Sequence, residues 1–567
     1  MYFNSKGKDE VSYDAIVIGT GISGGWAAKE LCEKGLNTLV LDRGRMVKHG
    51  EYPTANLEYW DVPRGGKLTR EELKNYEKQN RTGYTINEFE KHWWVKDTDE
   101  PYHEKKPFDW LRGYHVGGRS LMWGRHSYRL AELDFEANAK EGIAVDWPIR
   151  YADLAPWYDH VERFIGVSGR KEGLAHFPDG QFLPPFEFNC VELDIEKSIK
   201  ENYSDRILSI GRTANLTVPH NGRGQCMSRS RCSRGCPFGA YFSSNSSTLP
   251  AAEATGNMTI VTNSIVVEIL FDDASQKARG VRVLDSETLE EREYFSRIIF
   301  LNASCVHSTK ILMQSKSDRF PNGMGNDSGE LGHNMMDHHF KAGAYGFTDK
   351  FKDKYYYGRR PTGPYMPRFR NISKETTMKD FIRGYGYQGG GTRAGWGSTV
   401  AEASYGAEFK AALAVPGDWS YEFFGFGEIL PYHENKIMLK EEVKDKWGLP
   451  TMIMDAEIKQ NELNMREDMK TQAAEMLEKA GMRDIQTFDY RYALGLGIHE
   501  MGTARMGRDP KTSVLNKWNQ IHAVKNVFVT DGSCMTSSGC QNPSLTYMAM
   551  TARAANYAVE ALNKREL

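Results

Sequence analysis

Two short stretches of this sequence carry residue types at spacings that could do chemistry. In Gly19-Thr20-Gly21-Ile22-Ser23-Gly24, three glycines have the spacing of a dinucleotide-binding turn, and Asp42 follows eighteen residues after Gly24. Between a strand and a helix, Gly19 allows the tight turn and Gly21 lets a pyrophosphate approach the backbone. Gly24 lets helix and strand pack closely, and the helix N-terminus faces the phosphates. Asp42, ending a second strand, can bind ribose hydroxyls. The motif alone serves FAD or NAD; its place near the N-terminus, with a matching segment at the far C-terminus, favours FAD. In the other stretch, Cys226, Cys232 and Cys236 precede Pro237. Three thiolates so close suit an iron–sulfur cluster. They do not fit paired zinc knuckles or a haem-attachment motif. With no fourth clustered cysteine, a 3Fe–4S centre is expected, and a 4Fe–4S centre would need a distant ligand. Arg223, Arg229, Arg231 and Arg234 interleave the cysteines and would offset a thiolate cluster's charge. The plainer reading is three free thiols on a basic loop.

These groups need elements to hold them. Asp14-Ala15-Ile16-Val17-Ile18 reads as a buried strand. A helix over 26–34 ends at Gly35 as its C-cap, and the strand Thr38–Leu41 stops at Asp42, a βαβ start. Residues 51–108 read as a long surface excursion, and 113–124 as a second glycine-rich loop. A helix is expected over 149–165, strands across 256–302 with 297–301 buried, and a helix from about His307. Residues 340–440 read as strands and loops, and 460–480 as an amphipathic helix. The chain ends on strand 527–530, Asp531-Gly532-Ser533, and a helix from about Pro543 to Leu562. Buried strands at both ends predict a nucleotide domain assembled from separated segments, with a second, sheet-based domain from the middle. The fold class is α/β, α+β overall.

At 567 residues, more than one core is expected. The 73 basic residues nearly balance 75 acidic ones, so nothing pulls the chain toward nucleic acid. Aromatics at 12% can line a sizeable pocket. Eight cysteines at this length are no disulfide scaffold. No stretch is long and apolar enough to span a bilayer. The first thirteen residues lack an apolar run, so no secretory signal is expected in this chain.

Six motifs stand in one order: Gly19–Gly24 with Asp42; Val116-Gly117-Gly118-Arg119-Ser120; Gly332-His333-Asn334-Met335-Met336-Asp337-His338; His499-Glu500-Met501-Gly502-Thr503; Asp531-Gly532-Ser533; and Asn542-Pro543. In this the chain resembles the glucose–methanol–choline (GMC) oxidoreductases over nearly its whole length. The resemblance implies FAD, a Rossmann-like flavin domain and a substrate domain on an antiparallel sheet. It implies a flavin domain of 1–135, 205–335 and 495–567, with an iron–sulfur loop at 222–240, and a substrate domain of 136–204 and 336–494. It sets Gly117, Gly118, Ser120, Val266, Ala303, Asp531, Gly532 and Pro543 beside the cofactor. His499 and Asn542 match the family's catalytic pair. Oxidising an alcohol moves a hydride to the flavin while the hydroxyl loses a proton; His has a suitable pKa to take it, and Asn can hold the alkoxide in register. Asn542 also reads as a helix N-cap before Pro543. His338 reads as structural, and His126, His307, His339 and His433 as core or surface. Met122 stands where some relatives carry a His bonded covalently to the flavin, so non-covalent FAD is expected.

The cysteine cluster within this scaffold resembles the catalytic subunit of bacterial multi-subunit sugar dehydrogenases, which include FAD glucose dehydrogenase and glucoside 3-dehydrogenase. That resemblance implies oxidation of a secondary sugar hydroxyl, carbon 3 of a glucoside being favoured. Electrons would leave through the cluster to a c-type cytochrome or equivalent acceptor. It further implies a small companion subunit with a twin-arginine signal and a periplasmic location by co-export, the alternative being cytoplasmic. A dehydrogenase for glucose carbon 1, gluconate or a polyol is the next reading, and an inert flavin-binding electron-transfer subunit the non-enzyme one. The loop Tyr52–Trp110 with Trp396, Trp419, Tyr421, Phe423 and Phe424 could stack on a pyranose, although sheet packing suits most of them better.

Overall fold

The computed structural model describes residues 12–83, 85–355, 361–395 and 405–567. Expectations for the first eleven residues and for Trp396 lie outside the described residues.

The run Ala15–Ile18 is apolar on both faces, as a strand covered on both sides must be. Ser12–Ile18 pairs in parallel with Thr38–Leu41 on one side and with the end of Glu291–Leu301 on the other. Met258–Val261 continues the sheet beyond Thr38–Leu41, and Val527–Val529 pairs in parallel with Ile299–Leu301. Lys277–Asp285 and Ser264–Asp272 extend it antiparallel. The register sets Ile18, Leu41, Leu301 and Val529 level. The residues after them, Gly19, Asp42, Asn302 and Thr530, therefore meet at one sheet edge, where a doubly wound sheet takes its ligand. Small side chains let helix Ile22–Glu33 lie against the C-terminal helix Ser544–Asn563, with Ala27, Ala28, Ala554, Ala555 and Ala558 buried together.

A second, antiparallel sheet runs Arg483–Asp489, His338–Thr348, Trp419–Glu428, Tyr385–Arg393, Pro364–Met366 and Ser209–Ile210. Helix Gln460–Lys479 covers one face with Met465, Met469, Ala473 and Met476. Trp419, Tyr421 and Phe423 are buried in that core, so they pack the sheet and offer no face to a sugar.

The strands depart from the expected division in two places. Ser209–Ile210 adds an edge to the antiparallel sheet, and Tyr102–Glu104 pairs in parallel with Met452–Met454. Residues 51–108 are not a surface excursion. Tyr52, Tyr76, Trp93 and Trp94 are buried with Leu111, Leu121 and Leu496 in a core of their own; aromatics without a period bury themselves through short turns. Helix Ile22–Glu33 begins four residues earlier than expected, so Gly24 lies inside it. Among the described residues, no helix is long and apolar enough to cross a membrane.

A β-carbon at Gly24 would collide with the carbonyl of Gly19. Gly24→Ala is therefore expected to cost about 3 kcal/mol. The loss should appear as a lower denaturant midpoint at unchanged slope; an unchanged midpoint would mean helix and strand have room to spare.

Candidate active site

One cavity of about 470 Å³ runs along the sheet edge and under the antiparallel sheet. Gly19, Gly21, Asp42, Gly118, Ser120, Val266, Ala303, His499, Asp531, Gly532 and Asn542 all line it. Gly24, Gly117 and Pro543 stand behind its wall. Gly24 holds helix to strand, Gly117 donates its N–H to Thr20 Oγ1 at 2.8 Å, and Pro543 caps the last helix.

At the sheet edge the wall suits a dinucleotide. Gly21 starts helix Ile22–Glu33 with no side-chain cap, leaving the first N–H groups for an anion. A β-carbon on Gly21 would meet no heavy atom within 4 Å, so that side of the turn is open. Asp42 is buried, accepts the N–H of Gly44 at 2.9 Å and bonds Thr20; burial pushes its carboxyl up to about 6. Nearby, Arg43 lies over the rings of Tyr114 and Trp447 at 3.8 and 4.9 Å, and its Nε and Nη2 lack a protein partner. Gln314 Oε1 and Tyr547 Oη, in residues lining the same cavity, also lack one. Open glycine, uncapped helix start and orphaned polar atoms fit FAD.

Under the antiparallel sheet the residues suit alcohol chemistry. Asp337, just before strand His338–Thr348, accepts the N–H groups of Gly495, Gly497 and His499 at 2.8, 3.0 and 3.0 Å. Burial first, then Glu500, pushes its carboxyl up to about 7. These bonds hold a tight loop in which Ile498 takes φ 60°, costly for a β-branched residue. His499 Nδ1 meets His338 Nδ1 at 3.1 Å. Burial, then His338, Arg119 and His126, holds His499 well below the usual imidazole range. Arg119 makes a two-pronged pair with Glu500 at 3.0 and 2.7 Å. Across the cavity, Gln388 Nε2 donates to Asn542 Oδ1 at 2.9 Å. That side chain does not cap the last helix, whose N-cap is Pro543, and its amide N–H is left for a ligand. Phe340, Phe424, Phe426, Trp94 and Leu496 give the remaining walls apolar surface.

Sequence reasoning missed Arg119, Asp337, His338, Gln388 and Glu500 here. The first three and Glu500 lie inside or beside the quoted motifs; Gln388 arrives on a sheet strand with no motif at all. His126 and His307, read as core or surface, line the cavity. His307 Nε2 meets Tyr114 Oη at 2.9 Å and Glu100 at 3.3 Å. His433 is exposed and stacks on His333.

The three cysteines do not line the cavity, but their turn Cys232–Arg234 packs against the turn Gly118–Leu121, which does. All three are free and half-buried. Burial, then Cys232 and Cys236, pushes the Cys226 thiol up against a backbone N–H from Ser228 at 3.4 Å. The arginines do not ring the thiols as expected. Arg229 donates to Ala55 O at 2.8 Å and Arg234 to Leu57 O at 2.9 Å, Arg231 pairs with Glu58, and Arg223 bonds Ile165 O. Arg125, which no motif marks, is the cation whose charge bears on Cys226. Among the described residues, only Asp337, His338 and His499 bring three ligand atoms within 4.8 Å of one another, and their mutual and backbone bonds occupy those atoms.

The N-terminal model of the GMC oxidoreductases matches residues 13–340 and the C-terminal model residues 431–551. The chain is 27% identical to a 2-methyl-1,2-propanediol dehydrogenase of Mycolicibacterium austroafricanum, over 96% of this chain and 94% of that one. It is 24% identical to the fructose dehydrogenase large subunit of Gluconobacter japonicus, over 97% and 98%. A formate oxidase variant of Aspergillus oryzae superposes with a TM-score of 0.63 at 14% identity, over 99% and 100%.

Gly21→Val places a side chain in the open side of the turn while its φ of −64° suits any residue. The variant should melt like the parent without cofactor, yet retain FAD at least about tenfold more weakly. Full flavin content after purification would contradict this placement.

Proposed function

This chain belongs to the GMC oxidoreductase family, and we propose that within it the chain is an FAD-dependent dehydrogenase for a secondary hydroxyl of a sugar, carbon 3 of a glucoside. The observation that carries the reading is His499 and Asn542 lining one cavity with Gly21 and Asp42. Bound FAD supplies the two-electron acceptor. His499 takes the hydroxyl proton as the carbinol hydrogen leaves with its electron pair. Asn542, its carbonyl oxygen engaged by Gln388, donates an amide N–H to the alkoxide oxygen. Phe340, Phe424 and Phe426 suit the apolar face of a pyranose, and Lys341 and Gln388 its hydroxyls. Met122 at the cavity wall offers no imidazole for a covalent flavin bond, which favours non-covalent FAD. Carbon 3 is favoured by the sequence resemblance alone.

The cysteine loop supports a 3Fe–4S cluster behind the Gly118–Leu121 turn, passing electrons outward. Met227 and Phe238 on that loop are exposed, as are Tyr59 and Trp60 near the residues its arginines grip; Trp60 is 82% exposed. Such a patch suits a docking partner, here a c-type cytochrome, with a small companion subunit completing the complex. The name of the fructose dehydrogenase large subunit likewise describes one chain of an assembly.

Anaerobic incubation with a panel of glucosides and a dye acceptor, followed by location of the new ketone, tests the reading. A 3-keto product supports it. Oxidation of glucose carbon 1, gluconate or a polyol alone would replace the substrate, and a flavin that never bleaches would leave an inert electron-transfer subunit. His499→Ala should slow flavin reduction about 10³-fold with FAD retained. Because burial holds His499 below its ordinary 6.5, it is unprotonated at neutral pH, and the acid limb of kcat/KM should fall below pH 6.5. Cys232→Ser should spare flavin reduction and block transfer to cytochrome, with iron analysis and spin resonance reporting the cluster.

A further inference from the structure

We infer that His338 is a positioning residue that fixes the tautomer of His499, so that the bare Nε2 of His499 faces the substrate hydroxyl. The inference rests on the reading of His499 as the base and adds a role for a residue that touches no substrate.

The argument runs on donors and acceptors. His338 Nε2 lies 2.9 Å from the carbonyl oxygen of Gly539, and its Nδ1 lies 3.1 Å from His499 Nδ1. A carbonyl only accepts, so His338 Nε2 carries the hydrogen. A neutral imidazole has one N–H, so His338 Nδ1 is bare and accepts. His499 Nδ1 must therefore be the donor, which leaves its Nε2 without hydrogen. Flipping the His338 ring would turn carbon toward both partners and lose both bonds. The chain of bonds thus runs from His499 through His338 to a backbone carbonyl, with its polarity set at the carbonyl end.

The surroundings keep His338 neutral, as the argument requires. It is 2% exposed, and burial pushes it down to about 3. The titratable and charged groups around the two rings are His339 and Asp337 beside His338, Glu428 opposite it in the sheet, and Arg119, Glu500 and His126 around His499. Glu428 is paired with Arg383 at 3.0 Å, Glu500 with Arg119, and Asp337 with three backbone N–H groups. None of these carboxylates is hydrogen-bonded to the His338 ring to draw a second proton onto it. His338 itself gives and takes no proton. When His499 Nε2 takes the hydroxyl proton, its Nδ1–H stays on His338 and the new positive charge keeps that partner.

Ring-nitrogen NMR of the holoenzyme with isotope-labelled histidine reads the tautomer directly, the His499 signals being those lost in His499→Ala. A protonated Nδ1 and a bare Nε2 are expected; a protonated Nε2 would overturn the inference. In flavin-loaded protein, His338→Leu should slow anaerobic flavin reduction toward the ~10⁴-fold that a wrong-tautomer histidine costs a serine protease. His338→Asn, whose Oδ1 can accept from His499, should recover to within about tenfold of the parent, one hydrogen bond being lost. Parental rates in a flavin-loaded His338→Leu would also overturn it. If no sugar bleaches even the parent, the functional reading fails, while the NMR result still decides the tautomer.

Discussion

One buried carboxylate ties the two halves of this protein together at the point where chemistry is expected. Asp337 stands at the start of the first long strand of the antiparallel sheet and accepts three backbone N–H groups from the segment 495–499. That segment leads back to the parallel sheet through Val527–Val529. Without those bonds nothing else described would hold Ile498 at a left-handed φ, and His499 would lose its fixed approach to the cavity. The strain in that loop and the carboxylate that restrains it belong together.

The other end of the cavity depends on register rather than on a single contact. Four parallel strands end level, so one short turn, one acid and two strand-end segments converge without any long-range motif. Each glycine of the turn then has a separate task, one packing and one open. The cysteine loop belongs to the same economy of space. It leans on the Gly118–Leu121 turn on one side and is gripped at residues 55–58 on the other, which sets any electron path from the cavity to the surface through a few side chains.

Much of this was legible in the sequence because the informative signals are local. The Gly19–Gly24 turn, the apolar runs at 15–18 and 297–301, and the helical periods near 151 and 460 need no tertiary knowledge. His499 and Asn542 were legible only through motif order. What escaped was set by packing. The aromatics of 51–108 have no period, so their burial depends on partners far along the chain, Leu496 among them. Gln388 reaches Asn542 from a glycine-rich strand. The arginines near the cysteines looked like counter-charges by spacing, but backbone carbonyls and Glu58 claim them. His338 looked structural because its neighbour in sequence, Asp337, has a structural task; its ring has a different partner.

The central claim is that a carbon-bound hydrogen leaves a sugar with its electron pair inside this cavity. Stopped-flow bleaching of the flavin, without oxygen, using a glucoside deuterated at the carbon to be oxidised, tests it most directly. The account predicts that bleaching slows several-fold with the deuterated sugar, and that the heavy atom is retained on the reduced cofactor. Bleaching at equal rates with both sugars, or none with either, would contradict it.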